Sequence, residues 1–277
     1  MLNKYQAHWL SHSSISTFKN CPLAYYYSAV FKDDEKCKIS TVSPYMTLGL
    51  AVHSPLESLA EVPSEERKNK KFAPEFFKVW ESMSGEKGGF ENENQENEFK
   101  ERGIAMLKNV KSNIQYLEGE TAFLLPDHSE LPWMWLSEEE NLILSGKLDY
   151  ILKKENEYFV IDFKTGLKEE KADSLQLPIY RILLNHFLPG GDFRAAYWQL
   201  QTAAAPVEKQ IPSLAESREL VLDIGRKIKQ ARLDKNFECP RGDSGCFACQ
   251  GYQKIINGSA TYIARGIYGA KMYKVNK

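Results

Sequence analysis

Apolar positions recur at three- and four-residue spacing in the first part of the chain and alternate near its middle, which predicts helices followed by a sheet. Residues 11–60 read as helical. Ser13 and Ser14 are suitable N-cap residues before Ile15 and Phe18. Pro22 fits the first turn of a second short helix carrying Leu23, Tyr26, Tyr27 and Val30. Residues 33–44 are charged and polar and read as a loop, after which Leu48, Val52, Leu56 and Leu59 return to helical spacing. Residues 84–101 run from a glycine-rich stretch into alternating Glu and Asn. They offer few groups to bury, which predicts an exposed, mobile insertion.

The middle of the chain is richer. Leu142 to Leu152 reads as one strand, Lys153 to Glu157 as a turn, and Tyr158 to Thr165 as a second strand ended by Gly166. Together they predict a hairpin. A helix follows from about Ala172 to Phe187, stopped by Pro189-Gly190-Gly191. Phe193 to Thr202 reads as a strand and Ser213 to Leu233 as a helix. This order implies a mixed α/β sheet covered by helices.

Composition narrows the class. Of 277 residues, 43% are hydrophobic and 26% charged, so wholesale disorder is excluded and one core of ordinary density is expected. No apolar run reaches the ~20 residues that span a bilayer. The first residues lack the apolar stretch of a secretory signal, so a reducing cytoplasm is expected. Thirty-six basic residues nearly balance 37 acidic ones. Local charge is more telling: Lys254, Arg265, Lys271, Lys274 and Lys277 interleave with Tyr252, Tyr262, Tyr268 and Tyr273 without an acidic residue. That pattern suits a phosphate backbone with stacked bases, or simply a solvated C-terminal edge.

Side chains alternate faces along a strand, so Tyr158, Val160, Asp162 and Lys164 share one face. Two charges on an otherwise apolar strand need a partner or a metal. If Lys153 opposes Tyr158, the same register sets Asp149 against Asp162. A divalent cation between the two carboxylates would remove their repulsion, and oxygen ligands suit Mg²⁺ or Mn²⁺. Lys164 could then orient a water or stabilise charge on a phosphate. The competing reading is a surface ion pair of Asp162 with Lys164 on an edge strand. His53 and Glu57 share a helix face with Gly49, whose small size would leave room for a metal or backbone. Gln176 and Tyr180 share another, away from Leu175, Ile179 and Ile182. Pro55 should bend its helix or start a new segment near Ser54, and Pro178 suggests a first turn or a kink.

Asp149 followed by Asp162-Phe163-Lys164-Thr165-Gly166 resembles the core of the PD-(D/E)xK nuclease superfamily, in particular its RecB-family and CRISPR-adaptation exonuclease branch. Further pieces match in order. Ser14, Ser16 and Phe18 with Cys21-Pro22 and Tyr25 to Tyr27 resemble the N-terminal signature of that branch. Gly49, His53 and Glu57 are similar to its first motif, Gly146-x2-Asp149-Tyr150 and Ile161 to Gly166 to the second and third, and Gln176-x3-Tyr180 to the next. The resemblance covers residues 14–255. It implies a restriction-endonuclease-like mixed central sheet flanked by helices with a helical N-terminal part, in a single domain over residues 1–277. It also implies a metal-dependent DNA exonuclease of recombination, repair or phage DNA processing, with a helicase, annealing protein or integrase as partner. His53, Asp149, Asp162 and the backbone carbonyl of Phe163 would bind metal, and Lys164 would position the attacking water. Gln176 and Tyr180 would contact the substrate or support the site. The alternative is a non-cleaving module that holds DNA ends or a helicase partner. Such relatives usually lose the catalytic Asp or Lys, and this chain keeps both. A small-molecule metallohydrolase would call for more histidine ligands.

The five cysteines are Cys21, Cys37, Cys239, Cys246 and Cys249. An odd number in a reducing compartment argues against a disulfide framework. Cys21, Cys239, Cys246 and Cys249 supply four thiolates, sufficient for Zn²⁺ or an iron–sulfur cluster, and free thiols remain the third reading. The family branch often carries a [4Fe–4S] staple with one N-terminal and three C-terminal cysteines, its C-terminal trio being CxxC and then a later cysteine. Here that later position, near Ile255, holds no cysteine, and within segment 239–255 Cys239 would substitute from the other side. Cys37, between Lys36 and Lys38, reads as a solvated thiol.

Overall fold

A computed structural model describes residues 3–127, 130–266 and 269–275. Tyr268 and Lys277 of the basic, tyrosine-rich stretch lie outside the described residues. In chain order the elements are β1 (His8–Leu10), α1 (His12–Asn20), α2 (Pro22–Tyr25), β2 (Ile39–Thr41), α3 (Pro44–Glu57), α4 (Ala73–Ser82), α5 (Glu93–Ser112), β3 (Glu120–Thr121), β4 (Trp133–Ser137), β5 (Leu142–Ser145), β6 (Tyr150–Lys154) and β7 (Glu157–Lys164). There follow α6 (Gln176–Phe187), β8 (Asp192–Gln199), β9 (Val207–Lys209), α7 (Leu214–Asp234), α8 (Phe247–Ile256), β10 (Thr261–Arg265) and β11 (Lys271–Lys274).

The central sheet has five strands in the order β3-β6-β7-β8-β9. β7 and β8 are parallel and joined through α6, while the other pairs are antiparallel. Smaller sheets, β1-β5-β4 and β10-β11-β2, flank it. This is a mixed α/β architecture of the restriction-endonuclease-like kind. The β6–β7 hairpin has the expected register, Lys153 opposite Tyr158, with Glu155 at a φ of 53° in the two-residue turn.

The alternation of β7 divides the core. Ile161 and Phe163 face a helical lobe with Leu48 and Val52 of α3, Phe76 and Trp80 of α4, and Met106 and Val110 of α5. Val160 faces the other way, towards Ile179 and Leu183 of α6 and Val221 of α7. Arg67 fastens the helical lobe to the sheet. It is buried and donates to the carbonyls of Val62, Leu117 and Gly119 and to Thr121 Oγ1.

Several local expectations need correction. The cap of α1 is Ser11, whose Oγ accepts from the Ser14 amide while the Ser14 hydroxyl accepts from the Ser11 amide. The stretch 142–152 is two strands, since β5 pairs with β1 and β4 and the chain then crosses at residues 146–149 to enter the central sheet as β6. Pro55 does not start a new segment: α3 runs from its Ser43 cap to Glu57, so the backbone bond lost to the ring falls in its last turn. Segment 84–101 contains a 3₁₀ turn at Gly85–Gly88 and the first half of α5. Its polar residues have structural work: Asn92 caps α5, and Glu96 accepts from Trp80 Nε1 and the Gly85 amide. Phe90 and Phe99 are buried there. Among the described residues, no helix is long and apolar enough to cross a membrane.

Candidate active site

Asp162 and Lys164 project from the end of β7 on the face towards α6, whose first turns carry Gln176 and Tyr180. Asp162 is 2% exposed. Its Oδ1 accepts from Gln176 Nε2 and from the Tyr180 hydroxyl, both at 2.7 Å. Lys164 Nζ donates to Gln176 Oε1 at 2.6 Å and stands 2.8 Å from Asp162 Oδ2. The latter is a charge contact out of hydrogen-bond alignment, so Oδ2 is a buried carboxylate oxygen without a hydrogen-bond partner. Glu170 Oε2 lies 3.4 Å from the same Nζ, and the Tyr197 ring lies beneath it at 4.9 Å. The surface-pair reading of Asp162 and Lys164 therefore fails: β7 is an interior strand, and the pair is enclosed.

A second group abuts this one. His53 and Glu57 stand one turn apart near the C-terminal end of α3, and Asp149 ends the crossing between β5 and β6. Their ligand atoms lie within 4.8 Å of one another. His53 Nδ1 is 3.3 Å from Asp149 Oδ2, which also accepts from the Phe163 amide at 2.9 Å. That bond places Asp149 beside Asp162, continuing the hairpin register one step past Tyr150 and Ile161. Lys147 Nζ reaches Glu57 Oε2 at 2.5 Å. A cleft of about 680 Å³ opens here, lined by His53, Glu57, Lys147 and Asp149. A groove of about 590 Å³ on the side of Glu170 and Tyr197 has a charge-balanced lining: Lys19, Lys171, Lys209 and Lys227 stand among Glu169, Glu170, Asp173 and Asp223, with Lys19 paired to Asp173 and Lys227 to Asp223.

The electrostatics follow from burial and like charge. Burial, then the neighbouring Asp149, pushes Asp162 up to about 6 against the opposing pull of Lys164 and Tyr180. Burial alone would lower His53; the carboxylates of Asp149, Asp162 and Glu57 overcome it and raise the imidazole to about 9. Burial likewise opposes the charge of Lys164, yet Asp162 and Glu170 raise it above the ordinary lysine value, so it is an ammonium at neutral pH. The Tyr180 hydroxyl, buried beside a carboxylate, is held well above its usual range and stays a donor.

An imidazole and two carboxylates gathered around one point, with the Asp162 carboxylate beside them, form a mixed nitrogen–oxygen ligand set of net negative charge. The donor chemistry fits a divalent cation. His53 and Asp149 belong to the three-residue group. Asp162 is adjacent but turned towards Lys164, and Phe163 enters through its amide. Glu57, which the sequence places on the same helix face as His53 but which the resemblance does not make a ligand, joins the group. Glu170 lies in a mixed-charge loop with no periodicity to mark it. A methyl group at Gly49 would stand 3.7 Å from Thr165 Oγ1, an ordinary contact with the residue that follows Lys164.

The basic C-terminal stretch is engaged within the fold. Arg265 pairs with Glu35, Lys271 with Asp33 and Glu35, and Lys274 with Glu86, while Tyr252 stacks on Tyr27. Away from the carboxylates, Cys21, Cys239, Cys246 and Cys249 converge, their sulfurs within 4.8 Å of one another. Cys239, upstream of the CxxC pair, is the fourth member of this group. Cys37 is half-buried elsewhere.

Comparison with known proteins agrees with this architecture. The family model described as the PD-(D/E)XK nuclease superfamily matches residues 9–252. Among solved structures, a candidate exonuclease from Eubacterium rectale superposes with a TM-score of 0.50 at 15% identity, covering 87% of each chain. No curated protein matches the sequence.

Proposed function

Because the chain belongs to the PD-(D/E)XK nuclease superfamily, we propose that it is a DNA exonuclease that hydrolyses phosphodiester bonds with Mg²⁺ or Mn²⁺. The observation that carries this reading is the enclosed network of Asp162, Lys164, Gln176 and Tyr180 set directly against His53, Glu57 and Asp149. His53, Asp149, Asp162 and the Phe163 carbonyl would hold the cation, with Glu57 as a further ligand. When bound, it would supply Lewis-acid polarisation of the phosphoryl oxygens.

The protein groups then have distinct tasks. Lys164 is an ammonium and not a base: it donates to the oxygen of the attacking water and faces the negative charge that develops on phosphorus-bound oxygens. Gln176 fixes both charges at once, accepting from Lys164 and donating to Asp162. Tyr180 is buried behind Asp162 and orients its carboxylate, a supporting position rather than one that touches substrate. In the overall reaction the water oxygen joins phosphorus, one proton ends on the leaving oxygen and the other passes to solvent. Action at ends draws support from the candidate exonuclease of similar fold.

The test is incubation with end-labelled linear and closed circular DNA, with and without Mg²⁺ or Mn²⁺. We expect metal-dependent release of nucleotides from linear DNA alone. Tight binding without products would refute the assignment in favour of a non-cleaving DNA-end module, and cutting of circles would refute the end-directed reading.

A further inference from the structure

The resemblance implies a [4Fe–4S] staple, but the four sulfurs do not fit one. In such a cube each thiolate binds a different iron, which sets the sulfurs about 6 Å apart. Here Cys249 Sγ lies 3.7 Å from Cys239 Sγ and 3.9 Å from Cys246 Sγ, and all four sulfurs fall within 4.8 Å of one another. Four thiolates around a single ion with a Zn–S bond of about 2.3 Å form a tetrahedron whose edge is about 3.8 Å. From this convergence we propose that Cys21, Cys239, Cys246 and Cys249 hold one tetrahedral Zn²⁺ in place of an iron–sulfur cube.

The surroundings are built for four thiolates on one ion. Every sulfur accepts from a backbone amide. The Ala24 amide donates to Cys21 Sγ at 3.4 Å, the Arg241 amide to Cys239 Sγ at 3.4 Å and the Cys246 amide to Cys249 Sγ at 3.1 Å. Cys246 Sγ accepts from the amide of Cys249 at the start of α8. Amide donors of this kind hold the ligands in place and temper their charge. Gly245 permits the close turn: its φ is 71°, and a methyl group there would stand 3.2 Å from Cys249 Sγ and 2.5 Å from Gln253 Oε1. Cys21, Cys239 and Cys249 are buried, with Leu23 and Ala248 packed around them. The cysteine order agrees as well, since the cysteine that would follow CxxC in the iron–sulfur pattern is missing and Cys239 precedes it. The ion would tie α2 to the start of α8, and so the N-terminal helices to the C-terminal sheet β10-β11-β2. Its role would be structural, because a closed tetrahedron leaves no open position.

The test is elemental. The protein is produced with iron, cysteine and zinc all supplied and purified without oxygen, and its zinc, iron and acid-labile sulfide are measured per chain. We expect one zinc, no labile sulfide and no broad absorption near about 400 nm. Removing the zinc and adding Co²⁺ should give the intense visible bands of a tetrahedral thiolate site. Cys239→Ser and Cys246→Ser should each bind Co²⁺ at least tenfold more weakly. About four irons with matching sulfide would overturn the proposal. So would failure of the reduced, metal-free protein to take up one equivalent of Zn²⁺ or Co²⁺.

Discussion

Asp162→Asn should stabilise the metal-free protein while abolishing its chemistry. Asp162 is buried and its carboxyl is pushed to about 6, against an ordinary 3.8. That gap of about two pH units weighs against folding by about 3 kcal/mol once the group is ionised. The sign follows from the direction. A carboxyl raised in the folded state favours folding fully below pH 3.8, and this contribution is lost as pH rises through about 6. The introduced amide oxygen keeps the bonds from Gln176 and Tyr180, but its NH₂ turns donor against donor towards Lys164, a mismatch of about 1 kcal/mol. The balance is about 2 kcal/mol in favour of the variant at pH 7.5, or about 5 °C in melting temperature for a chain of this size. Thermal melts in EDTA at pH 7.5 and pH 5 read it directly. The advantage should shrink towards zero at pH 5, and Mn²⁺ should raise the wild-type melting temperature far more than that of the variant. A variant less stable than wild type in EDTA at pH 7.5 would refute the reasoning.

Three further outcomes follow from the site and the core. With His53 raised to about 9, the imidazolium favours folding below pH 6.5 and that contribution fades as pH rises through 9; a cation must displace its proton, so Mn²⁺ affinity should climb about tenfold per pH unit between 6.5 and 8.5. Calorimetry in buffers of different ionisation enthalpy checks this, and a flat affinity would contradict it. Glu57→Gln should weaken Mn²⁺ binding about tenfold while Lys147→Met changes it less, the reverse order arguing that Glu57 serves only its ion pair. Arg67→Met strands three backbone carbonyls and should cost about 3 kcal/mol in urea unfolding, with no change in metal affinity.

The central hairpin and its charges were legible because a half-buried strand alternates and a short turn fixes register: once Lys153 opposes Tyr158, Asp149 must approach Asp162. The break at residues 146–149 was not legible. Leu142, Ile143 and Leu144 are all fully buried, so a strand that belongs to a different sheet reads as a continuous apolar run into the next. Helix α5 was obscured by its polar first turns, although Phe99, Met106, Leu107 and Val110 carry a helical stripe and Asn92 is a cap. The basic C-terminal residues looked available for phosphate because their partners, Asp33, Glu35 and Glu86, lie far away in sequence. The cysteines could be grouped by residue type, but whether they hold one ion or a cube is a matter of sulfur spacing, which only the fold supplies.

The central claim, that Asp162 and Lys164 do chemistry on a DNA strand, is tested most directly by single-turnover cleavage of end-labelled linear DNA bound in advance and started with Mn²⁺. The account predicts that Asp162→Asn and Lys164→Met bind the DNA within a few-fold of wild type and cleave it at least about a thousandfold more slowly. Cleavage by Asp162→Asn within tenfold of wild type would contradict it.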